Sequence, residues 1–135
     1  MRIAMRKIVA VLFIGCLCVL DATGQKPATQ TKKQPCADLM AQNDMNRCAA
    51  DEYKKADAEL NKVYQQLVPK LEGEHKEKLK VAQRAWVAFR DAHCEYEAFA
   101  FDGGSMQPLI RYSCLEAVTR ERTKQLRGAL QEVGK

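Results

Sequence analysis

The chain has 135 residues, of which 47% are apolar and 29% charged, with 22 Lys and Arg against 17 Asp and Glu and a formal net charge of +5. This length is enough for one domain and too short for two ordinary ones. The charge excess is mild and forms no concentrated basic face, which argues against nucleic acid as the partner.

The N-terminus has the organisation of a Sec signal peptide. Basic residues precede an unbroken apolar run from Ile8 to Leu20, and Ala22 and Gly24 supply small residues at the cleavage-site positions. A bilayer span needs about 20 apolar residues, so the run is too short for a stable membrane anchor. Residues 1–24 are therefore predicted to be removed on export, which leaves the protein periplasmic or secreted. Their loss removes three bases and one acid and lowers the formal net charge to +3.

A lipoprotein signal is the alternative interpretation of this segment. Gly15 precedes Cys16, and acylation of that cysteine would tether the protein to a membrane. The apolar run continues past Cys16 to Leu20, however, where a lipoprotein normally becomes polar. Cleavage after Gly24 is therefore the favoured interpretation.

Residues 25–35, QKPATQTKKQP, are polar, contain two prolines and show no apolar periodicity, which predicts a flexible leader. A domain spanning residues 36–135 follows. Residues 36–60 carry six acids and three bases, whereas residues 111–127 carry five bases and two acids. This asymmetry indicates oriented contacts rather than general binding to polyanions.

Apolar residues recur at three- and four-residue steps, which predicts α-helices. Asn43 or Asp44 can cap the first helix, and Pro69 and Gly73 end it. The face expected to be buried consists of Met45, Ala49, Tyr53, Ala56, Leu60, Val63, Leu67 and Leu71.

The second predicted helix runs from about Glu74 to Phe101, and the glycines that follow break it. Its apolar face is expected to consist of Leu79, Ala82, Trp86, Phe89, His93, Tyr96 and Ala100.

Ser105 can cap a third helix whose first turn tolerates Pro108. The sequence therefore predicts an all-α fold, a small antiparallel bundle of three main helices. The apolar side of the third helix is expected to consist of Leu115, Val118, Leu126, Ala129 and Val133.

Four of the six cysteines follow the signal peptide, and an even number in a small exported chain predicts two disulfides. No pair has the Cys-x-x-Cys spacing that favours zinc. In an antiparallel hairpin, residues equidistant from the turn lie opposite each other, and Cys94 and Cys114 are each ten residues from Gly104. The predicted bridges are therefore Cys94–Cys114 and Cys36–Cys48.

A polar cluster is expected around the only tryptophan, Trp86. The hairpin arithmetic places Arg122 opposite Trp86, and folding the first helix back around residues 71–72 brings Asp57 to nearly the same level. An arginine on an apolar face needs a carboxylate or an indole face as partner. Asp57, Trp86 and Arg122 are therefore predicted to form a partly buried group that fixes the helix register, with Trp86 and Phe89 in the core. A ligand site for an acidic group is the alternative.

No catalytic, cofactor-binding or metal-binding residue is predicted. His75 lies in a charged run and His93 lies on an apolar stripe beside a cysteine expected to be oxidised, and neither has a recognisable nucleophile nearby. Gly103 and Gly104 lack the strand and the lysine of a phosphate-binding loop. The sequence therefore predicts a protein that is not an enzyme and needs no cofactor.

Several short motifs follow one another in order along residues 36–130. They are Cys36, Gln42-x-x-Met45-Asn46-x-Cys48, Tyr53-x-x-Ala56-Asp57-x-Glu59-Leu60-Asn61-x-x-Tyr64, Ala82-Gln83-Arg84-Ala85-Trp86-x-x-Phe89-Arg90-Asp91-x-x-Cys94, Gly103-Gly104-Ser105, Cys114 and Thr119-x-x-Arg122. In this order they resemble the LprI-type lysozyme inhibitor domain family. The resemblance implies a small helical envelope protein that protects peptidoglycan by binding a lysozyme-like glycosidase. A structural or stress-related periplasmic protein without a lysozyme target is the alternative, and the sequence leaves the oligomeric state open.

Two segments are candidates for contact with such a partner. The turn after the second helix offers hydrogen-bond donors that suit the carboxylates of a glycosidase cleft, although the same residues are also ordinary turn formers. The acidic first helix, at Asp51 and Glu52, offers an electrostatic alternative. The donors of the turn are at Gly103, Gly104, Ser105 and Gln107.

Overall fold

The computed structural model describes residues 36–135, and in this part of the chain it contains three α-helices and no strand. The predicted all-α bundle of three main helices is therefore confirmed. None of these helices carries an apolar stretch long enough to span a bilayer. The helices are α1, Gln42–Leu67; α2, Gly73–Phe99; and α3, Gln107–Glu132.

The predicted signal peptide (residues 1–24), its alternative acylation site Cys16 and the predicted leader (residues 25–35) lie outside the described residues. They remain predictions from the sequence.

Helix α1 forms because one of its faces is apolar at helical spacing. Its buried residues lie three, four or seven positions apart on the face that the sequence predicts, so one stripe of the helix is covered by the rest of the bundle. The cap differs from the expectation, because the helix begins before Asn43 and Asp44 and Ala41 stands at the cap position without a side-chain hydrogen bond. The buried residues are Ala49, Ala56, Leu60, Val63 and Leu67.

The connection between α1 and α2 is short and well defined. A 3-10 turn, Val68–Lys70, contains the proline that ends α1, and Leu71 then packs into the core. Gly73 begins α2 with φ of +52°, in the left-handed region where a side chain is strained. The core at this end of the bundle consists of Leu60, Val63, Leu67, Leu71 and Leu126.

Helices α1 and α3 run parallel, because the residue numbers of their contacting pairs rise together along both helices. Tyr53 stacks on Tyr112 with 6.2 Å between ring centroids, and further along both helices Glu59 pairs with Arg127. Helix α2 runs antiparallel to both.

In the pairs that join α2 to α3, the residue number falls along α2 as it rises along α3. Glu95 pairs with Arg111 at 2.8 Å, and earlier in α2 the side chain of Gln83 accepts a hydrogen bond from Arg122 at 3.1 Å. These pairs confirm the hairpin formed by the second and third helices.

Two disulfides cross-link the domain, and their connectivity is the predicted one. Cys36 is bonded to Cys48, which fixes the entry segment onto the start of α1, and Cys94 is bonded to Cys114, which joins α2 to α3. Cys94 is fully buried, so the second bridge is part of the core.

The buried face of α2 differs from the prediction. Ala82, Phe89, Tyr96 and Ala100 were expected to be buried, and all four are exposed. Trp86, Leu79 and His93 are only partly buried. The buried residues are Arg90, Cys94 and Ala98, on the side of α2 that carries the bridge to α3.

The start of α3 also differs from the prediction. Met106, rather than Ser105, occupies the cap position, and Pro108 lies in the first turn as expected. Leu115 and Leu126 are buried as predicted, whereas Val133 is exposed beyond the end of the helix.

We expect peptide mapping under non-reducing conditions to recover Cys36 linked to Cys48 and Cys94 linked to Cys114. A Cys36–Cys94 or Cys48–Cys114 peptide, or four free thiols, would contradict the structure.

Replacing both members of a bridge by alanine should lower the free energy of unfolding by about 3 kcal/mol, from loop entropy alone. The loss should be larger for Cys94 and Cys114, because that bridge spans 20 residues rather than 12 and Cys94 is fully buried. Chemical denaturation of the two double variants measures the difference. Equal stability of either variant and the parent would contradict this assignment.

Candidate functional site

The most elaborate polar arrangement surrounds Arg90 in α2. This side chain is the one charged group among the buried residues of the described chain, with 7% of its surface exposed. Its guanidinium lies between two aromatic rings, 5.3 Å from the centroid of Trp86 and 5.6 Å from that of Tyr53. It donates hydrogen bonds to Asp57 at 3.2 Å and to Asp91 at 2.8 Å. A buried cation is thus matched by two carboxylates and two π faces.

Arg122 in α3 contacts the same tryptophan. Its guanidinium carbon lies 5.9 Å from the Trp86 centroid, and its nitrogens donate to Gln83 at 3.1 Å and to Gln125 at 3.0 Å. Burial lowers the pKa of Arg122 below its ordinary value. Trp86 therefore has one arginine from its own helix and a second from α3.

The predicted Asp57–Arg122–Trp86 group needs one correction. Arg122 reaches Trp86, but the arginine that pairs with Asp57 is Arg90. The chain reverses near Gly73, about two residues later than the assumed pivot, so the residue of α2 level with Asp57 moves on by about four positions, one helical turn. The sequence signal was present, because Arg90 lies at the boundary of the apolar face.

The cluster continues through aromatic rings toward α3. Tyr53 stacks on Tyr112, and Arg111 lies 5.9 Å from the Tyr112 centroid. Burial raises the pKa of Tyr53 above its ordinary value. The side chains of this cluster contact one another across α1, α2 and α3, so the cluster joins the three helices.

Neither histidine takes part in the hydrogen bonds or ion pairs of Arg90. His93 stacks on Phe89 with ring centroids 5.4 Å apart, and His75 is exposed near the start of α2. Within residues 36–135, no group of three or more metal-ligating side chains is close enough together to hold an ion.

The turn between α2 and α3 forms an exposed tip at one end of the bundle. Gly103 adopts φ of +71°, and the Gly104 N–H donates to the carbonyl of Phe101 at 2.9 Å. The side-chain amide of Gln107 donates to Asp102 at 3.0 Å, so this predicted donor is already used within the turn. The Ser105 hydroxyl lies on an exposed residue.

The tip is held by contacts from the rest of the domain. The side chain of Asn46, in the first turns of α1, donates to the Ser105 carbonyl at 3.0 Å. The Cys94–Cys114 bridge ties together the two helices that carry the turn. These restraints leave little backbone freedom to be lost when a partner binds.

Two apolar side chains beside the glycines were not among the predicted contacts. Phe101 and Met106 are 37% and 42% exposed, on either side of the polar tip. Aromatic residues and methionine are enriched at protein interfaces. Their position next to a glycine turn was the signal that sequence reasoning could have used.

The acidic face of α1 is largely neutralised by its own neighbours. Asp51 pairs with Lys54 at 3.4 Å, and Glu52 pairs with Lys55 at 2.9 Å and with Arg120 at 3.6 Å. The Glu52 side chain is only 16% exposed. Of the two candidate acids, Asp51 is therefore the more available to a partner.

We expect Arg90→Ala to lower the free energy of unfolding by about 3 kcal/mol, because it removes a buried cation and leaves Asp57 without its arginine. Arg111→Ala is the matched control, since Arg111 also combines a carboxylate and a ring but is far more exposed, and its loss should cost less than about 1 kcal/mol. Urea unfolding followed by Trp86 fluorescence measures both. Equal losses of stability in the two variants would contradict a stabilising role for the burial of Arg90.

Comparison with known proteins identifies the relatives of this bundle. A family model described as "Lysozyme inhibitor LprI" matches residues 34–126, a range that includes both disulfides, the Arg90 cluster and the turn. The chain is 36% identical over 136 aligned residues to an uncharacterized protein of Rhizobium meliloti (strain 1021), with 91% of this chain and 94% of that protein covered. No solved structure matches it significantly. The chain therefore belongs to the LprI lysozyme inhibitor family.

Proposed function

We propose that the protein is exported and acts as a non-enzymatic inhibitor of a lysozyme-type muramidase, whose cleft it occupies to protect peptidoglycan. Family membership is the observation that carries this proposal. Two further features support it: the signal-peptide organisation of residues 1–24, and disulfides of the kind that persist in an oxidising compartment.

The turn at residues 102–107 is the proposed inhibitory element. A glycosidase cleft presents two carboxylates, and an occupant that brings N–H and O–H donors satisfies them better than one that brings further acceptors. The exposed backbone at Gly103 and the Ser105 hydroxyl supply such donors. Phe101 and Met106 supply apolar surface that can pack against the walls of a sugar-binding cleft.

The acidic face of α1 is the weaker candidate. Asp51 and Glu52 are both engaged in ion pairs within the domain, so a basic partner would have to compete with Lys54, Lys55 and Arg120. Exposed ion pairs of this kind are weak, and Asp51 remains accessible enough to be tested.

The first experiment is to mix the mature, oxidised protein with purified lysozymes of different structural classes and to follow clearing of a peptidoglycan suspension. We expect the protein to slow clearing by at least one class in proportion to its concentration. If no lysozyme is inhibited, the proposal is wrong and the alternative of a structural or stress-related envelope protein takes its place.

The second experiment tests the turn. Ser105→Ala combined with Gln107→Ala should raise the inhibition constant about tenfold, since it removes a donor to the cleft and the amide that holds Asp102. The thermal midpoint should change little, because both residues lie at the exposed tip. Asp51→Asn is the matched control and should inhibit like the parent. Equal inhibition by the double variant, with loss in Asp51→Asn, would assign the contact to α1 instead.

A further inference from the structure

An open groove of about 570 Å³ lies between the end of α1 and the middle of α2. The last turn of α1 and the 3-10 turn that follows it form one side, and two successive turns of α2 form the other. The lining residues are Tyr64, Val68, Lys80, Gln83, Arg84 and Val87.

The walls of this groove are apolar. Val68, Val87 and Tyr64 are partly buried, and Tyr64 also packs against the core at this end of the bundle. Burial of apolar surface on such walls stabilises a complex, so the groove favours a ligand with an apolar part.

The charged side chains of the groove are basic. Arg84 is exposed and forms no ion pair among residues 36–135, whereas Lys80 pairs at 2.7 Å with Glu77, which does not line the groove. The pKa of Glu77 is lowered chiefly by Lys80, and two further bases nearby, Arg84 among them, lower it further. None of the described residues that line the groove is acidic, so its surroundings favour a negative charge.

The amide of Gln83 is oriented by a cation without a carboxylate partner. Its Oε1 accepts a hydrogen bond from Arg122 at 3.1 Å, which leaves the amide nitrogen available to donate to a ligand. Within the described chain Arg122 contacts Trp86 and two glutamine side chains but no carboxylate, whereas Arg90 has two carboxylate partners. The positive charge beside the groove is therefore not neutralised by the domain itself.

We propose that this groove binds a small amphiphilic anion, a carboxylate or phosphate group joined to an apolar chain. The anionic group accepts hydrogen bonds from Arg84, Lys80 and the amide of Gln83. The apolar chain lies against Val68 and Val87.

The site is separate from the proposed inhibitory turn. Helix α2 continues for about 20 Å from Arg84 before the turn begins, at a rise of about 1.5 Å per residue. Four side chains at the groove or beside it belong to the sequence motifs described above, and the turn uses none of them; they are Tyr64, Gln83, Arg84 and Arg122. Binding of an anion here therefore goes beyond the proposed inhibition of a glycosidase and does not depend on it.

Titration of the mature, oxidised and isotope-labelled protein with octyl phosphate below its micelle concentration, followed by NMR, tests the site. We expect saturable binding with a dissociation constant on the order of 1 mM, and shifts of the Gln83 side-chain amide and of the Arg84 and Val87 backbone signals. Octyl glucoside has the same chain with a neutral headgroup, and inorganic phosphate has the anion without the chain. Each should bind at least about tenfold more weakly.

Two variants test which charge is recognised. Arg84→Ala should weaken the binding of octyl phosphate about tenfold, because it removes a charged donor that the domain does not use. Lys62→Ala is the matched control, since Lys62 is also an exposed base without an ion pair in the described chain but does not line the groove. It should bind like the parent. The thermal midpoints of both variants should match that of the parent.

Vesicles of phosphatidylcholine, with and without phosphatidic acid, distinguish two sources of such an anion. Cosedimentation of the parent and of Lys62→Ala with the acidic vesicles alone, lost in Arg84→Ala, would support the proposal and assign the ligand to a membrane lipid. Binding of octyl phosphate without cosedimentation would support it equally and assign the ligand to a soluble amphiphile.

Four results would overturn the proposal. They are the absence of saturable shifts with octyl phosphate, equal binding by Arg84→Ala and the parent, octyl glucoside that binds as tightly as octyl phosphate, and inorganic phosphate that does so. Lysozyme inhibition is a separate measurement. A protein that binds octyl phosphate but inhibits no lysozyme would leave this inference standing and refute only the proposed function.

Discussion

The burial of one guanidinium determines how this bundle is assembled. Arg90 lies inside, where a charge without partners would be costly, and its surroundings provide two carboxylates and two aromatic faces. Those groups come from both α1 and α2. The rotation of α2 about its own axis is thereby fixed, because any other rotation would expose the cation or leave it without Asp57.

The exposed apolar side of α2 follows directly from this rotation. Arg90 and Cys94 are four residues apart on one side of the helix, and both face inward. Phe89 and Tyr96 lie on a different side and therefore face outward. A helix with apolar residues on two sides cannot bury both against a single pair of neighbours. The apolar surface that stays exposed on α2 is therefore a consequence of the burial of Arg90.

The sequence predicts most of the fold because its signals there are local. Three helical periodicities, two glycines at a reversal and the positions of Cys94 and Cys114 suffice for the helix count and the bridges. The face of α2 could not be predicted in the same way. Periodicity ranks Phe89 and Tyr96 as core and Arg90 as a residue at the boundary of the apolar face, and only the three-dimensional match between Arg90 and its partners reverses that order.

The candidate contacts with a partner could likewise be predicted only in part from the sequence. Glycine chemistry locates the exposed turn correctly, since Gly103 has positive φ. It does not reveal that the Gln107 amide is occupied by Asp102, or that Glu52 is covered by a basic residue from α3. The contact of Glu52 depends on a residue that is distant in the sequence. The contact of Gln107 depends on a turn geometry that composition does not specify.

The two disulfides make the fold conditional on its chemical surroundings. Bridges contributing about 3 kcal/mol each are comparable with the net stability of roughly 5–15 kcal/mol that a domain of this kind possesses. A chain with all four thiols reduced is therefore close to the threshold between folded and unfolded. Reduction of the bridges should therefore favour unfolding, so the stability of the fold depends on the redox potential of its surroundings.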